Sequence, residues 1–211
     1  MTHQLIVLDG KTLNPGDNPW TELEAYGKVT VYDRSRVDDI VSRVQSASIA
    51  ITNKVPFDVN TIDQLPNLKL IAVTATGYNV VDCQHASNRK IVVCNVPAYS
   101  TQSVAQHVFA MLLSYLHLPS QHHAAVLDGE WQRRQDFSFT LQPLAELAGK
   151  TMGIVGLGQI GRATAKVAEA LGMEVLAHSR TQTDPLPYQG FRWLPLDELF
   201  AQSDVISFTV L

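Results

Sequence analysis

The chain has 211 residues, 45% of them hydrophobic and 17% charged, with two cysteines and a formal net charge of −4. That length holds one large domain or two small ones, each able to bury a core. Mild acidity without a basic stripe argues against nucleic acid as a partner, and no apolar run approaches the ~20 residues of a membrane-spanning helix.

Apolar, strand-like runs occur at Leu5–Leu8, Val29–Tyr32, Ser48–Ile51, Leu70–Val73 and Ile91–Val93. Stretches of helical period lie between them, for example Val37, Ile40, Val41 and Val44. Strands alternating with helices predict a parallel sheet covered on both faces. This first α/β domain is expected over residues 1–98, closing at Val96-Pro97. The opening run Gln4–Leu8 is only strand length and does not read as a secretory signal. Cys83 and Cys94 show no metal-ligand or redox spacing, so buried thiols in a reducing, cytoplasmic setting are expected.

From Ser100 to Leu118 apolar residues recur at spacings of three and four: Val104, Ala105, Val108, Phe109, Leu112, Leu113 and Leu116. The spacing predicts a long helix capped by Ser100 or Thr101, with a stop or kink at Leu118-Pro119. Its wide apolar face is buried either inside one subunit or against a second copy. Asp128–Gln142 is polar and reads as a connection, as does His122-His123.

Met152–Val155 is a short apolar strand running straight into Gly156-Leu157-Gly158-Gln159-Ile160-Gly161. A helical pattern follows at Ala163, Ala165, Val167, Ala168, Ala170 and Leu171. Strand, Gly-x-Gly-x-x-Gly and helix together form the dinucleotide-binding fingerprint. Gly156 permits the tight turn, Gly158 lets the backbone approach a pyrophosphate, and Gly161 lets helix and strand pack closely. The helix N-terminus adds unpaired N–H groups and partial positive charge. A strand at Glu174–His178, a short Phe191–Leu194 segment, a helix at Leu196–Ala201 and a strand at Val205–Thr209 extend this second unit, residues 99–211. A dinucleotide-binding domain has two mononucleotide halves, and only the first is expected here. The sheet then stops near its fourth strand, leaving an unpaired edge and exposed apolar surface.

The end of the second fingerprint strand bears on the choice of cofactor. NAD-binding domains place an acid roughly twenty residues after the fingerprint, on the ribose 2′-OH. Here the segment reads Ala177-His178-Ser179-Arg180-Thr181, with Ser179 in the acid's place and no acid before Asp184. Without the carboxylate a 2′-phosphate is not repelled, and Arg180 can pair with it. NADP(H) is therefore expected over NAD(H); the alternative is a solvated turn with an incidental arginine.

Three blocks carry a resemblance that covers essentially the whole chain. They are Thr74-Ala75-Thr76-Gly77-Tyr78-Asn79-Val80-Val81-Asp82, the run from Cys94 to His107, and Leu147-Ala148-Gly149-Lys150 with the fingerprint and Leu171–Val175. Together they resemble the D-isomer-specific 2-hydroxyacid dehydrogenase family, and the first two look most like its glycerate dehydrogenase or hydroxypyruvate reductase branch. The resemblance implies an α/β fold: a flavodoxin-like substrate domain plus an incomplete Rossmann domain, opened by a linking helix through which members form homodimers. It implies hydride transfer between a nicotinamide and C2 of a small 2-keto acid such as hydroxypyruvate or glyoxylate. Ala75, Thr76, Gly77 and Tyr78 would offer N–H groups to the substrate carboxylate, Gly77 allowing close approach; a plain strand-end turn is the alternative. Thr101 would touch the cofactor near the nicotinamide or phosphate, or simply cap its helix, and Gln159 and Ile160 would lie against the pyrophosphate. Where the family has an acid, this chain has the neutral Gln106 followed by His107.

The family's substrate-holding arginine and its glutamate-supported histidine acid match no residue here. His3, His85, His107, His117, His122, His123 and His178 are expected to be structural or surface residues. The catalytic residues are expected beyond Leu211, and these 211 residues alone are expected to be inactive. A non-catalytic, dinucleotide-sensing interaction module and an inactive truncated product are the alternative readings. No residue pattern marks a partner-binding groove.

Overall fold

In a computed structural model, which describes residues 3–210 other than Leu13, Pro15, Asn18 and Thr183, the chain divides into two units, Met1–Tyr99 and Ser100–Leu211. The first unit carries β1 (His3–Val7), β2 (Gly27–Val31), β3 (Ile49–Thr52), β4 (Leu70–Val73) and β5 (Val92–Cys94), all parallel, in the order β2-β1-β3-β4-β5. That is the flavodoxin-like order, which reverses direction between β1 and β3. The short helices α1 (Ile40–Val44), α2 (Val59–Asp63) and α3 (Cys83–Asn88) supply the crossovers. One sheet face buries Ile6, Ile71 and Val73 with Phe57, Ile62 and Ala86; the other buries Leu5, Val7 and Ile51 against Trp20 and Leu23. Burial on both faces is why these strands read as continuous apolar runs. Asp58 and Asp82 start α2 and α3, each accepting a backbone N–H at 2.8 Å, from Thr61 and His85. The Thr61 hydrogen bonds hold the Asp58 carboxyl below its usual range.

The second unit opens with α4 (Thr101–His117), α5 (Pro119–Leu127) and α6 (Glu130–Arg133). There follow β6 (Thr151–Val155), α7 (Gln159–Ala170), β7 (Glu174–His178), β8 (Arg192–Trp193), α8 (Leu196–Gln202) and β9 (Val205–Phe208). The parallel sheet runs β8-β7-β6-β9, the first four strands of the doubly wound order. Met152, Ile154, Val175 and Ala177 pack under α7 and α4, while Val155 and Leu176 pack against Leu199 of α8. Among the described residues β9 pairs with β6 alone, and Phe208 on it is 65% exposed. No described helix is long and apolar enough to cross a membrane, and no group of three or more His, Cys, Asp or Glu among the described residues could hold a metal ion.

Several local expectations need correction. Ser100 sits at the N-cap of α4, yet its side chain makes no capping bond. Leu118 ends α4 in the left-handed conformation (φ 46°), and Pro119 at the first helical position starts α5 at once. His122 and His123 are therefore helical, not in a connection, and Asp128–Gln142 contains the single turn α6. The thiols are not both buried: Cys83 is half-buried, and Cys94 is exposed because it ends edge strand β5. The apolar face of α4 divides in two. Ala105, Val108, Phe109, Leu112 and Leu116 join the unit's core, whereas Val104 and Leu113 of the expected face are exposed, as are Met111 and Tyr115 beside it.

Candidate functional site

In the second unit, the C-terminal ends of β6, β7 and β9 surround a cleft of about 530 Å3. The three fingerprint glycines meet different constraints there. Gly156 has φ +96°, and a Cβ on it would lie 2.7 Å from Val210 Cγ1. A Cβ on Gly161 would lie 2.3 Å from the carbonyl oxygen of Gly156, so α7 could not sit this close to the loop with any larger residue. A Cβ on Gly158 would meet nothing within 4 Å. Neither backbone strain nor packing demands glycine at 158; the residue keeps space open at the cleft. The N–H groups of Gly158, Gln159 and Ile160 have no acceptor among the described residues. They are the orphan donors of a helix start, and they carry its partial positive charge.

Ser179 and Arg180 line the same cleft, and their roles differ. Ser179 Oγ accepts the Leu157 N–H at 2.7 Å, tying the end of β7 to the glycine loop. Arg180 is exposed, and its guanidinium has no partner among the described residues. His178 is held by a 3.0 Å hydrogen bond between Nδ1 and the Leu194 carbonyl. Since a carbonyl only accepts, Nδ1 carries the proton and Nε2 remains available. Cleft residues not singled out from the sequence include Thr209, whose hydroxyl donates to the Gly156 carbonyl, and Val210. Their signal was positional, because they follow a strand beside β6, where open α/β sheets place ligands.

In the first unit, Ala75–Tyr78 leaves the C-terminal end of β4. The loop is fixed by its neighbours: Val96 N–H donates to the Ala75 carbonyl at 3.1 Å, and Asn95 Nδ2 donates to the Thr76 carbonyl at 2.8 Å. Thr76 Oγ1 returns a 3.2 Å bond to the Val96 carbonyl. The N–H groups of Ala75, Thr76, Gly77 and Tyr78 have no acceptor among the described residues, although Ala75 is only 6% exposed. Consecutive unpaired donors of this kind are able to receive an anion where the backbone curves around it. Gly77 has no left-handed φ, and a Cβ there would find only ordinary contact, 3.6 Å from Asn79 Oδ1. Its small size is therefore not required by the chain's own packing.

The remaining candidates are less engaged. Thr101 is the half-buried first residue of α4, and its side chain makes no hydrogen bond among the described residues. Gln106 and His107 are exposed on the same helix. His85 pairs with Asp63 at 3.0 Å, and Arg89 shares that carboxylate at 2.5 Å. The His85 hydrogen bond, with Arg89 beside it, holds the Asp63 carboxyl below its usual range. His3 meets Ser48 at 3.0 Å, at the end of β1 away from the Ala75–Tyr78 loop.

Against this geometry, a family model described as D-isomer specific 2-hydroxyacid dehydrogenase, catalytic domain, matches residues 7–185. The chain belongs to that family. A hydroxypyruvate reductase of Blautia hydrogenotrophica is 45% identical over 207 residues, covering 97% of this chain and 64% of the relative. The NADPH-dependent glyoxylate/hydroxypyruvate reductase of Sinorhizobium meliloti, solved in complex with NADP and malonate, is similar with a TM-score of 0.76 at 29% identity. That likeness covers 100% of this chain and 63% of the other. D-lactate dehydrogenase of Aquifex aeolicus, complexed with NAD and lactic acid, gives a TM-score of 0.75 at 27% identity, over 98% of this chain and 60% of its own. The chain thus spans less than two thirds of each of these dehydrogenases. The Ala75–Tyr78 loop, the fingerprint, Ser179 and Arg180 all fall inside the residues matched to the family.

Proposed function

We propose that residues 1–98 form the substrate-binding domain, and residues 99–211 the first half of the NAD(P)-binding domain, of an oxidoreductase. The reaction interconverts a small 2-keto acid, hydroxypyruvate or glyoxylate, and its D-2-hydroxy acid. One observation carries this reading. In each unit a parallel strand ends in consecutive backbone N–H groups that lack an acceptor among the described residues, at Ala75–Tyr78 after β4 and at Gly158–Ile160 after β6. Anionic oxygens satisfy such groups. The first set suits a carboxylate, held by main chain alone and approached closely at Gly77. The second suits a pyrophosphate, with Gly158 leaving the approach open, Gln159 and Ile160 beside it, and Thr101 serving the cofactor near its nicotinamide or phosphate. The bound nicotinamide supplies the hydride donor or acceptor.

Ser179 and Arg180 favour NADP(H) over NAD(H). Ser179 offers no carboxylate to a ribose 2′-OH, and its hydroxyl is taken up in bracing the glycine loop. The free guanidinium of Arg180 suits a 2′-phosphate with a charge-assisted contact. The Sinorhizobium enzyme was solved with NADP and the Aquifex enzyme with NAD, so the family accommodates both and the choice rests on local residues. The exposed stripe Met111 and Tyr115, with Leu127, Trp131 and the 90% exposed Phe137, fits burial against a second copy in a homodimer. The two free thiols fit a reducing, cytoplasmic setting. The first unit brings no histidine to the Ala75–Tyr78 loop, since His85 is committed to Asp63 and His3 lies at the opposite end of β1. These 211 residues are therefore expected to bind both ligands without turnover.

The test is NADPH oxidation dependent on glyoxylate, hydroxypyruvate or pyruvate, measured on a chain extended to the length of its relatives. Turnover fastest with hydroxypyruvate or glyoxylate supports the reading; no turnover with any small 2-keto acid contradicts it.

A further inference from the structure

We propose a second anion-binding site in the first unit, at the C-terminal ends of β1, β2 and β3, that takes the phosphoryl group of a small metabolite. The strand order reverses between β1 and β3, and open α/β sheets bind ligands in the crevice at that reversal. A cavity of about 450 Å3 lies there, lined by Asp9 and Thr12 after β1, Arg34, Ser35 and Arg36 after β2, and Lys54 after β3. The Ala75–Tyr78 loop, which ends β4, lines no part of it.

The charges do not cancel within the cavity. Asp9 is 3% exposed, and its carboxylate is already used. It accepts the Asn53 N–H at 2.9 and 3.1 Å and the Lys54 N–H at 2.7 Å. Asp39 is engaged by Arg43 at 3.3 Å, and Asp33 and Asp38 do not line the cavity. The side chains of Arg34 and Lys54 have no partner among the described residues and that of Arg36 meets the Asp39 backbone, and all three cations are exposed at the cavity. Like charges held together repel, and a bound dianion removes that repulsion while stabilising the folded chain.

The backbone bearing these cations is fixed in advance. Arg43 donates from Nη1 to the Arg34 carbonyl at 2.8 Å and to Ser35 Oγ at 2.6 Å, with its guanidinium 4.0 Å over the Tyr32 ring. Ser35 Oγ in turn donates to the Leu8 carbonyl at 2.5 Å. Thr12 donates to the Asp9 carbonyl at 2.7 Å and accepts from Asn53 Nδ2 at 3.1 Å, joining the β1 and β3 loops. Two arginines and one lysine, carried on two separate loops whose backbone is held in place, can together serve the three acceptor oxygens of a phosphoryl group. A carboxylate group offers two oxygens rather than three, so even a dicarboxylate of equal charge gathers fewer of these donors on one group.

Inorganic phosphate is the probe, titrated against the 15N-labelled chain with sodium chloride matching the ionic strength. The amide signals of Arg34, Ser35, Arg36 and Lys54 should shift saturably. These are separate from the Gly158–Ile160 signals that report the dinucleotide cleft. Arg34→Gln with Arg36→Gln should weaken phosphate at least tenfold at the first set and leave the second unchanged. Succinate should bind at least tenfold more weakly than phosphate. Absence of saturable shifts at residues 34–36 and 54, or unchanged affinity in the double variant, overturns the site. Equal binding of succinate overturns its assignment to a phosphoryl group.

Discussion

Alanine at Gly161 and at Gly158 should have opposite effects, although both glycines belong to one motif. At Gly161 the added Cβ would lie 2.3 Å from the Gly156 carbonyl oxygen and 2.9 Å from Thr209 Oγ1. An ordinary carbon–oxygen contact is close to an ångström longer than the first of these, and the obstacle is backbone, so α7 must shift away from β6. Overpacking of this kind costs about 3 kcal/mol, the upper end of its usual range. Alanine recovers about 1 kcal/mol of helix propensity, leaving a net loss of about 2 kcal/mol. At Gly158 the Cβ meets nothing within 4 Å and φ is −78°, so alanine is tolerated. Its weaker N-capping is offset by the lower entropy of its unfolded chain, and stability should change by less than about 0.5 kcal/mol. Urea denaturation followed by circular dichroism measures both variants, and NADPH titration measures binding. Gly158→Ala should retain the wild-type midpoint and lose at least tenfold in NADPH affinity. A Gly161→Ala variant as stable as wild type, or a Gly158→Ala variant with undiminished NADPH binding, would refute this division of roles.

Other substitutions probe separate parts of the account. Ser179→Asp with Arg180→Gln keeps an acceptor for the Leu157 N–H while setting a carboxylate against a 2′-phosphate, so the ratio of NADPH to NADH affinity should fall at least tenfold in parallel titrations. Asp9→Ala removes the acceptor of the Asn53 and Lys54 N–H groups; with these donors left unsatisfied, urea denaturation should show a loss of about 3 kcal/mol. Hydrogen bonds from Arg133 and then Arg134 hold the Glu130 carboxyl below its usual range. Its stabilising effect is therefore present above the ordinary carboxylate pKa and is lost as pH falls through the lowered one. The Tm difference between wild type and Glu130→Gln should be largest near neutrality and shrink below about pH 4.

Much of the fold was legible because its strands are buried on two faces. β4 and β7 coincide with the apolar runs Leu70–Val73 and Glu174–His178. The ends of β5 moved by a residue, since the edge strand Val92–Cys94 has an exposed, half-buried, exposed pattern that gives no sharp boundary. Helices α1 to α3 are five or six residues long, too short for a full helical period to declare itself. Pro119 read as a terminator when it is also the favoured first residue of the next helix, and that ambiguity concealed α5.

The glycine fingerprint was readable because its constraints are local in sequence. The brace from Ser179 Oγ to Leu157 N–H was not, because 22 residues separate its partners. Neither was the hydroxyl of Thr209 on the Gly156 carbonyl, 53 residues away. Both depend on the register of β6 with β7 and β9, which three-dimensional packing sets. The free N–H groups of Ala75–Tyr78 were expected only through family resemblance, since no spacing rule announces a donor that lacks an acceptor.

The central claim, that these residues form a nicotinamide-dinucleotide site selective for the phosphorylated cofactor, is tested most directly by parallel fluorescence titrations of the 211-residue chain with NADPH and NADH. Saturable binding of both, with NADPH at least tenfold tighter, is the predicted result. A folded chain that binds neither nucleotide, or binds NADH as tightly as NADPH, would contradict it.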